Sequence, residues 1–161
     1  MTRFRTLIAI SSAVLTGLML SQCGGKPKAP AQDFGYAVAV SFTPAAAAKM
    51  KTLGQKATVE AYYYGAPTQA EKSKVNEDGQ IDLGMDMSDI DATSQTVKLT
   101  GNGIDQTRLS SLSDGKPSVT VRVYSSTTAG TPNQLACTAF NGTVEAAKAA
   151  PVAITCDIAK R

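Results

Sequence analysis

The sequence predicts an all-β domain, an antiparallel β-sandwich of about seven short strands with one or two short helices between them. Three observations carry that reading. Period-two alternation of apolar and polar residues recurs in short runs from Tyr36 to Ile158, turn residues separate the runs, and helical patterning is confined to two brief connections. The chain has 161 residues, enough for one core, and no internal repeat or second domain boundary is visible.

The first strand is read at Tyr36–Phe42, where Tyr36, Val38, Val40 and Phe42 alternate with Ala37, Ala39 and Ser41. Thr43 then offers an N-cap oxygen, Pro44 suits the first helical position and Gly54 the left-handed end, with Ala46, Met50 and Leu53 on one side. Alternation returns in Ala57–Tyr64, which puts Val59, Ala61 and Tyr63 inward and Thr58, Glu60, Tyr62 and Tyr64 outward. A long polar loop with a turn at Asn76–Gly79 leads to a short strand at Gln80–Leu83. Residues 84–93 read as an irregular acidic segment, followed by a strand at Ser94–Thr100 and a break at Gly101–Gly103.

Ile104–Leu112 is read as a brief second helix, with Asp105 in its first turn. Pro117–Ser125 is the clearest strand, with Val119, Val121 and Val123 inward and Thr120, Arg122 and Tyr124 outward. Gln134–Phe140 and Pro151–Ile158 complete the set. Leu135, Cys137 and Ala139 share a face in the former, and Val152, Ile154, Cys156 and Ile158 in the latter. An immunoglobulin-like or transthyretin-like arrangement is expected, although the Trp that packs beside the bridge in antibody domains has no counterpart here.

The amino-terminal stretch sets the compartment. Arg3 and Arg5 precede an uncharged, mainly apolar run from Leu7 to Leu20, too short for a stable membrane span and suited to the core of an export signal. With Leu20, Ser21, Gln22 and Cys23 at its close, the segment resembles the lipobox of bacterial lipoproteins, although Gln22 stands where Gly, Ala or Ser is usual. The resemblance covers residues 1–23. It implies removal of 1–22, a lipid on Cys23 and, because Gly24 rather than Asp follows, an outer-membrane anchor facing the periplasm; the alternative is a soluble periplasmic protein. Residues 23–34, rich in Gly, Pro and Lys, read as the lipidated cysteine and a flexible tether, and 35–161 as the sandwich domain.

The remaining thiols, Cys137 and Cys156, form an even pair in an exported chain and are expected to be disulfide-bonded. Without Arg3 and Arg5 the chain carries fourteen basic and thirteen acidic residues, a balance that gives no reason to expect a nucleic-acid partner. The absence of His removes the Ser-His-Asp triad, the Cys-His pair and the usual zinc protease motif. Asp82, Asp86, Asp89 and Asp91 lack the spacing of an EF-hand and read as a solvated acidic loop, so no metal, cofactor, small-molecule substrate or catalytic residue is assigned.

The most unusual local feature is Tyr62–Tyr63–Tyr64, in which strand alternation sets Tyr62 and Tyr64 side by side on the outer face. With Arg122 and Tyr124 they form the candidate partner-binding set, since Tyr and Arg recur as anchors of protein interfaces. The expected function is a lipid-anchored, non-catalytic binding or structural module. The alternative is an accessory lipoprotein subunit of a secretion or envelope-assembly machine, with an enzyme or carbohydrate-binding module as the weaker reading. Metabolic labelling with a radioactive fatty acid should mark the wild-type protein and not Cys23→Ser; equal labelling of the two rules out lipidation at that cysteine.

Overall fold

The structure is a computed structural model that describes residues 32–126 and 131–160. Cys23, the export segment and most of the expected tether lie outside the described residues. Eight strands form two four-stranded sheets, in the orders β4-β1-β8-β6 and β3-β2-β5-β7. The strands are β1 (Tyr36–Phe42), β2 (Ala57–Gly65), β3 (Ile81–Ile90), β4 (Gln95–Leu99), β5 (Ser118–Ser125), β6 (Leu135–Cys137), β7 (Phe140–Thr143) and β8 (Val152–Ile158). Buried residues of both sheets, among them Val38, Val40 and Ile154 from one and Val59, Tyr63, Val119 and Val121 from the other, make a single core, as in a β-sandwich.

Alternation explains why these strands form. In β2 and β5 every inward position expected from period two is buried, and the two strands pair antiparallel from Ala57–Ser125 to Tyr64–Ser118. Helix α1 (Pro44–Leu53) forms as its punctuation requires. Thr43 Oγ1 accepts from the Ala46 N–H at 3.2 Å, and Gly54 closes the helix at φ 62°. Ala46 and Met50 are buried, whereas Leu53, expected on the same side, is 43 % exposed.

Three expectations are corrected and one helix is added. The fold is not wholly antiparallel, since β1 and β8 run parallel from Val38–Val152 to Phe42–Cys156. Residues 84–90 are not an irregular loop but the second half of β3, which pairs with β2 along its whole length. The strand read at Gln134–Phe140 is two strands, because the chain leaves one sheet after Cys137 and joins the other at Phe140; this accounts for eight strands rather than seven. The brief helical reading of Ile104–Leu112 corresponds to a six-residue 3₁₀ helix, Gln106–Ser111, capped by Asp105, and the helix not foreseen is α2 (Val144–Ala149), capped by Thr143 Oγ1 and burying Val144 and Ala147. No helix among the described residues is long and apolar enough to cross a membrane.

Cys137 and Cys156 are disulfide-bonded, with Cα atoms 4.0 Å apart. They face each other directly across the β6–β8 ladder, so the bridge joins neighbouring strands of one sheet and not the two sheets. The Thr138 N–H donates to the Thr155 carbonyl at the next pair, which makes the cysteine pair a non-hydrogen-bonded one, where side chains on opposed strands approach most closely. Since β6 has only three residues, the bridge is what holds this short edge in register before the chain changes sheets. Closing a span of 19 residues is worth ~3 kcal/mol on the chain-entropy model. Cys137→Ala with Cys156→Ala should lower the stability measured by denaturant unfolding by about that amount, and the wild type should fall to the same level when reduced; an unchanged midpoint would show that the bridge stabilises nothing.

Candidate binding surface

The site is built by a change of phase in β3. Between Tyr63 and Tyr64 the β2–β3 register shifts by one residue, so that Tyr63 faces Gly84 whereas Tyr64 faces Asp82. Ile81 and Leu83 point inward before the shift; Asp86, Ser88 and Ile90 face the core side after it, and Met85, Met87 and Asp89 face out. Only glycine fits the turning point. Gly84 has φ 105°, and a Cβ there would overlap the Gly103 carbonyl oxygen.

On the inner side, the shift turns Asp86 towards the loop after β4. Asp86 Oδ1 accepts from the Gly103 N–H at 2.7 Å, and Oδ2 accepts from the Gly101 N–H at 2.8 Å and from the Tyr63 hydroxyl at 3.0 Å. Tyr63 has only one hydroxyl proton, so the Tyr36 hydroxyl, 3.4 Å away, donates to it. The cluster joins the two sheets, with Tyr36 on β1 and Tyr63 and Asp86 on β2 and β3. Burial is the main reason the Tyr36 phenol is pushed up to about 12; the Asp86 charge raises it further and the bond to Tyr63 opposes the shift. Burial likewise pushes the Tyr63 phenol up, helped by its bond with Tyr36 and by the Asp86 charge.

On the outer side, Tyr62 and Tyr64 stack on one another, with ring centroids 5.8 Å apart and planes 23° from parallel. Asn76 Nδ2 donates to the Tyr62 hydroxyl at 3.1 Å and so ties the tyrosine pair to the β2–β3 loop. Asn76 Oδ1 meanwhile accepts from the Asp78 and Gln80 N–H groups, closing the turn that the sequence marked. Next along β2, Glu60 lies between Met87 and Arg122 in register, and its Oε2 accepts from the Tyr124 hydroxyl at 3.0 Å. Partial burial and the Glu60 carboxylate raise the Tyr124 phenol.

The residues singled out from sequence therefore occupy one sheet face, though not one cluster. Tyr62 and Tyr64 form a ladder over the β2–β3 pair, whereas Arg122 and Tyr124 stand on β5 beside a groove of about 530 Å³ that Leu135 and Cys137 also line. The groove exists because β7 pairs β5 only from Ser118 to Val121, leaving the Val123 edge without a strand partner among the described residues.

Sequence reasoning missed Met85 and Met87, which are 50 % and 57 % exposed and lie opposite Tyr62 and Glu60. The signal was present as the alternation Met85, Met87, Asp89 against Asp86, Ser88, Ile90, one residue out of step with Ile81 and Leu83. The four aspartates do not converge: Asp82 caps the Gly84 N–H, Asp86 turns in, Asp89 accepts from Thr58 Oγ1, and Asp91 pairs with Lys56. Among the described residues no three His, Cys, Asp or Glu side chains come together as a metal site. No family model matches this sequence, and no curated protein or solved structure shows significant similarity to it.

The buried phenols set an alkaline limit on stability. An unfolded Tyr ionises near 10, below the folded Tyr36 and Tyr63, so the stability from keeping them neutral is complete below about pH 10 and is lost as pH rises towards 12. The denaturation midpoint should fall across that window, with a weaker fall in Tyr36→Phe. Spectrophotometric titration in which Tyr36 and Tyr63 ionise near 10 in the folded protein would contradict this.

Proposed function

We propose that this is a lipid-anchored envelope protein, held by Cys23 at the periplasmic side of the outer membrane, and that its sandwich is a non-catalytic module that binds an envelope protein partner. By its two-sheet architecture we group the domain with the immunoglobulin-like or transthyretin-like sandwiches. The observation that carries the binding reading is the composition of one rigid sheet face, which presents Tyr62, Tyr64, Met85, Met87, Arg122 and Tyr124. Aromatic residues, Met and Arg are the side chains enriched at protein interfaces.

A protein partner fits this face better than a sugar. Stacking against a sugar needs an open ring face, but Tyr62 and Tyr64 each give one face to the other, and the Tyr62 hydroxyl is already engaged by Asn76. Beside the tyrosine pair the face presents thioether and guanidinium groups, side chains suited to a protein contact. An accessory subunit of a secretion or envelope-assembly machine would use the same face in the same way.

A photo-crosslinking residue at Tyr64 in intact cells should trap a specific envelope protein. Tyr62→Ala with Tyr64→Ala should weaken that association by ~2 kcal/mol or more, roughly thirtyfold, while the disulfide and the fold seen by circular dichroism are retained. If the double variant folds and keeps every association of the wild type, the tyrosine ladder is only a shield over the strand pair.

A further inference from the structure

We propose that Met85 and Met87 form a surface site for a soft monovalent cation of the Cu(I) or Ag(I) type, on the outer face of β3 beside Tyr62. Exposed strand positions ordinarily suit Thr, Val or Tyr. Here two unbranched thioethers instead stand half exposed on the same face, and the register shift at Gly84 is what sets both outward.

Two strand steps separate their Cα atoms by roughly 6.7 Å. Each side chain is unbranched with three rotatable bonds, so both sulfurs can swing onto one ion between them while the backbone stays in place. That backbone is held on both edges. On one, β3 is in register with β2; on the other, the Asp105 N–H donates to the Leu83 carbonyl at 2.8 Å and Gly103 lies against the Met85 carbonyl.

The cross-strand neighbours supply what a soft monovalent cation uses in addition. Tyr62, opposite Met85, brings an aromatic ring, and Glu60, opposite Met87, brings a negative charge of which only Oε2 is engaged by Tyr124. Thioether sulfur selects ions of the Cu(I) class, whereas calcium and magnesium take oxygen ligands. The assignment rests on neither the lipid anchor nor the protein-partner reading.

The test uses the full chain carrying Cys23→Ser, which removes the one thiol outside the disulfide, and Ag(I) in chloride-free buffer. Calorimetry should give one tight Ag(I) per chain, and the ¹³C-labelled S-methyl signals of Met85 and Met87 should shift together while that of buried Met50 stays. Met85→Leu and Met87→Leu keep side-chain volume, so each should weaken binding at least tenfold with no change in melting temperature, and the pair should abolish it. Unchanged affinity in the double leucine variant, S-methyl shifts at other methionines only, or displacement of Ag(I) by millimolar calcium would each overturn the assignment.

Discussion

The one-residue register shift at Gly84 is the constraint on which both faces of the β3-β2-β5-β7 sheet depend. Without it, the alternation set by Ile81 and Leu83 would continue, pointing Met85 and Met87 into the core and Asp86 into solvent. With it, a carboxylate reaches the Gly101 and Gly103 N–H groups and the two methionines are displayed outside. A bulge inside an edge strand also bends that edge, and the Gly103–Asp105 segment lies along it, so the strand most open to pairing with another chain is partly covered. The interior clamp and the exterior surface are two consequences of one backbone feature.

Asp86 matters because of what it satisfies. Three donors meet one carboxylate, two of them main-chain N–H groups of the glycine loop after β4. A hydrogen bond to a charged group contributes about 1.5–3 kcal/mol, and leaving such donors unpaired costs a similar amount each. Because Tyr63 joins the same cluster and Tyr36 joins Tyr63, the loop after β4, the last part of β2 and the start of β1 are fixed together. The disulfide fixes the opposite edge of the sandwich, where β6 is too short to hold itself.

How much of this could be read from the sequence follows from the strength of local pattern. β1, β2, β5 and β8 were legible because Val, Ile and Tyr alternate over seven or more residues with an unbroken phase. The second half of β3 was not, because four aspartates suggested a loop and the shift at Gly84 broke the alternation that would have argued against it. The change of sheet at Thr138–Ala139 was hidden for the opposite reason: Leu135, Cys137 and Ala139 keep one phase, and nothing local reports which sheet a strand joins. Helix α2 offered only Thr143 as a cap and two buried residues at helical spacing, too little signal to mark a helix between two strands. The tyrosine ladder was legible from period two alone, whereas the bond from Asn76 to Tyr62 required a loop to fold back across fourteen residues.

The outer face suits recognition because its order is already established in the free protein. Tyr62 is fixed by Tyr64 and Asn76, and Tyr124 by Glu60, so these side chains have given up rotamer freedom before any partner arrives. Ordering a side chain at an interface costs about 0.5–1.5 kcal/mol each, and a surface ordered in advance avoids that cost on binding. Met85 and Met87 are the contrast: long, unbranched and exposed, they can adjust to what the fixed tyrosines cannot. A rigid aromatic ladder bordered by two adaptable thioethers, on a sheet pinned from within by Asp86, separates the positions that define a contact from those that accommodate it.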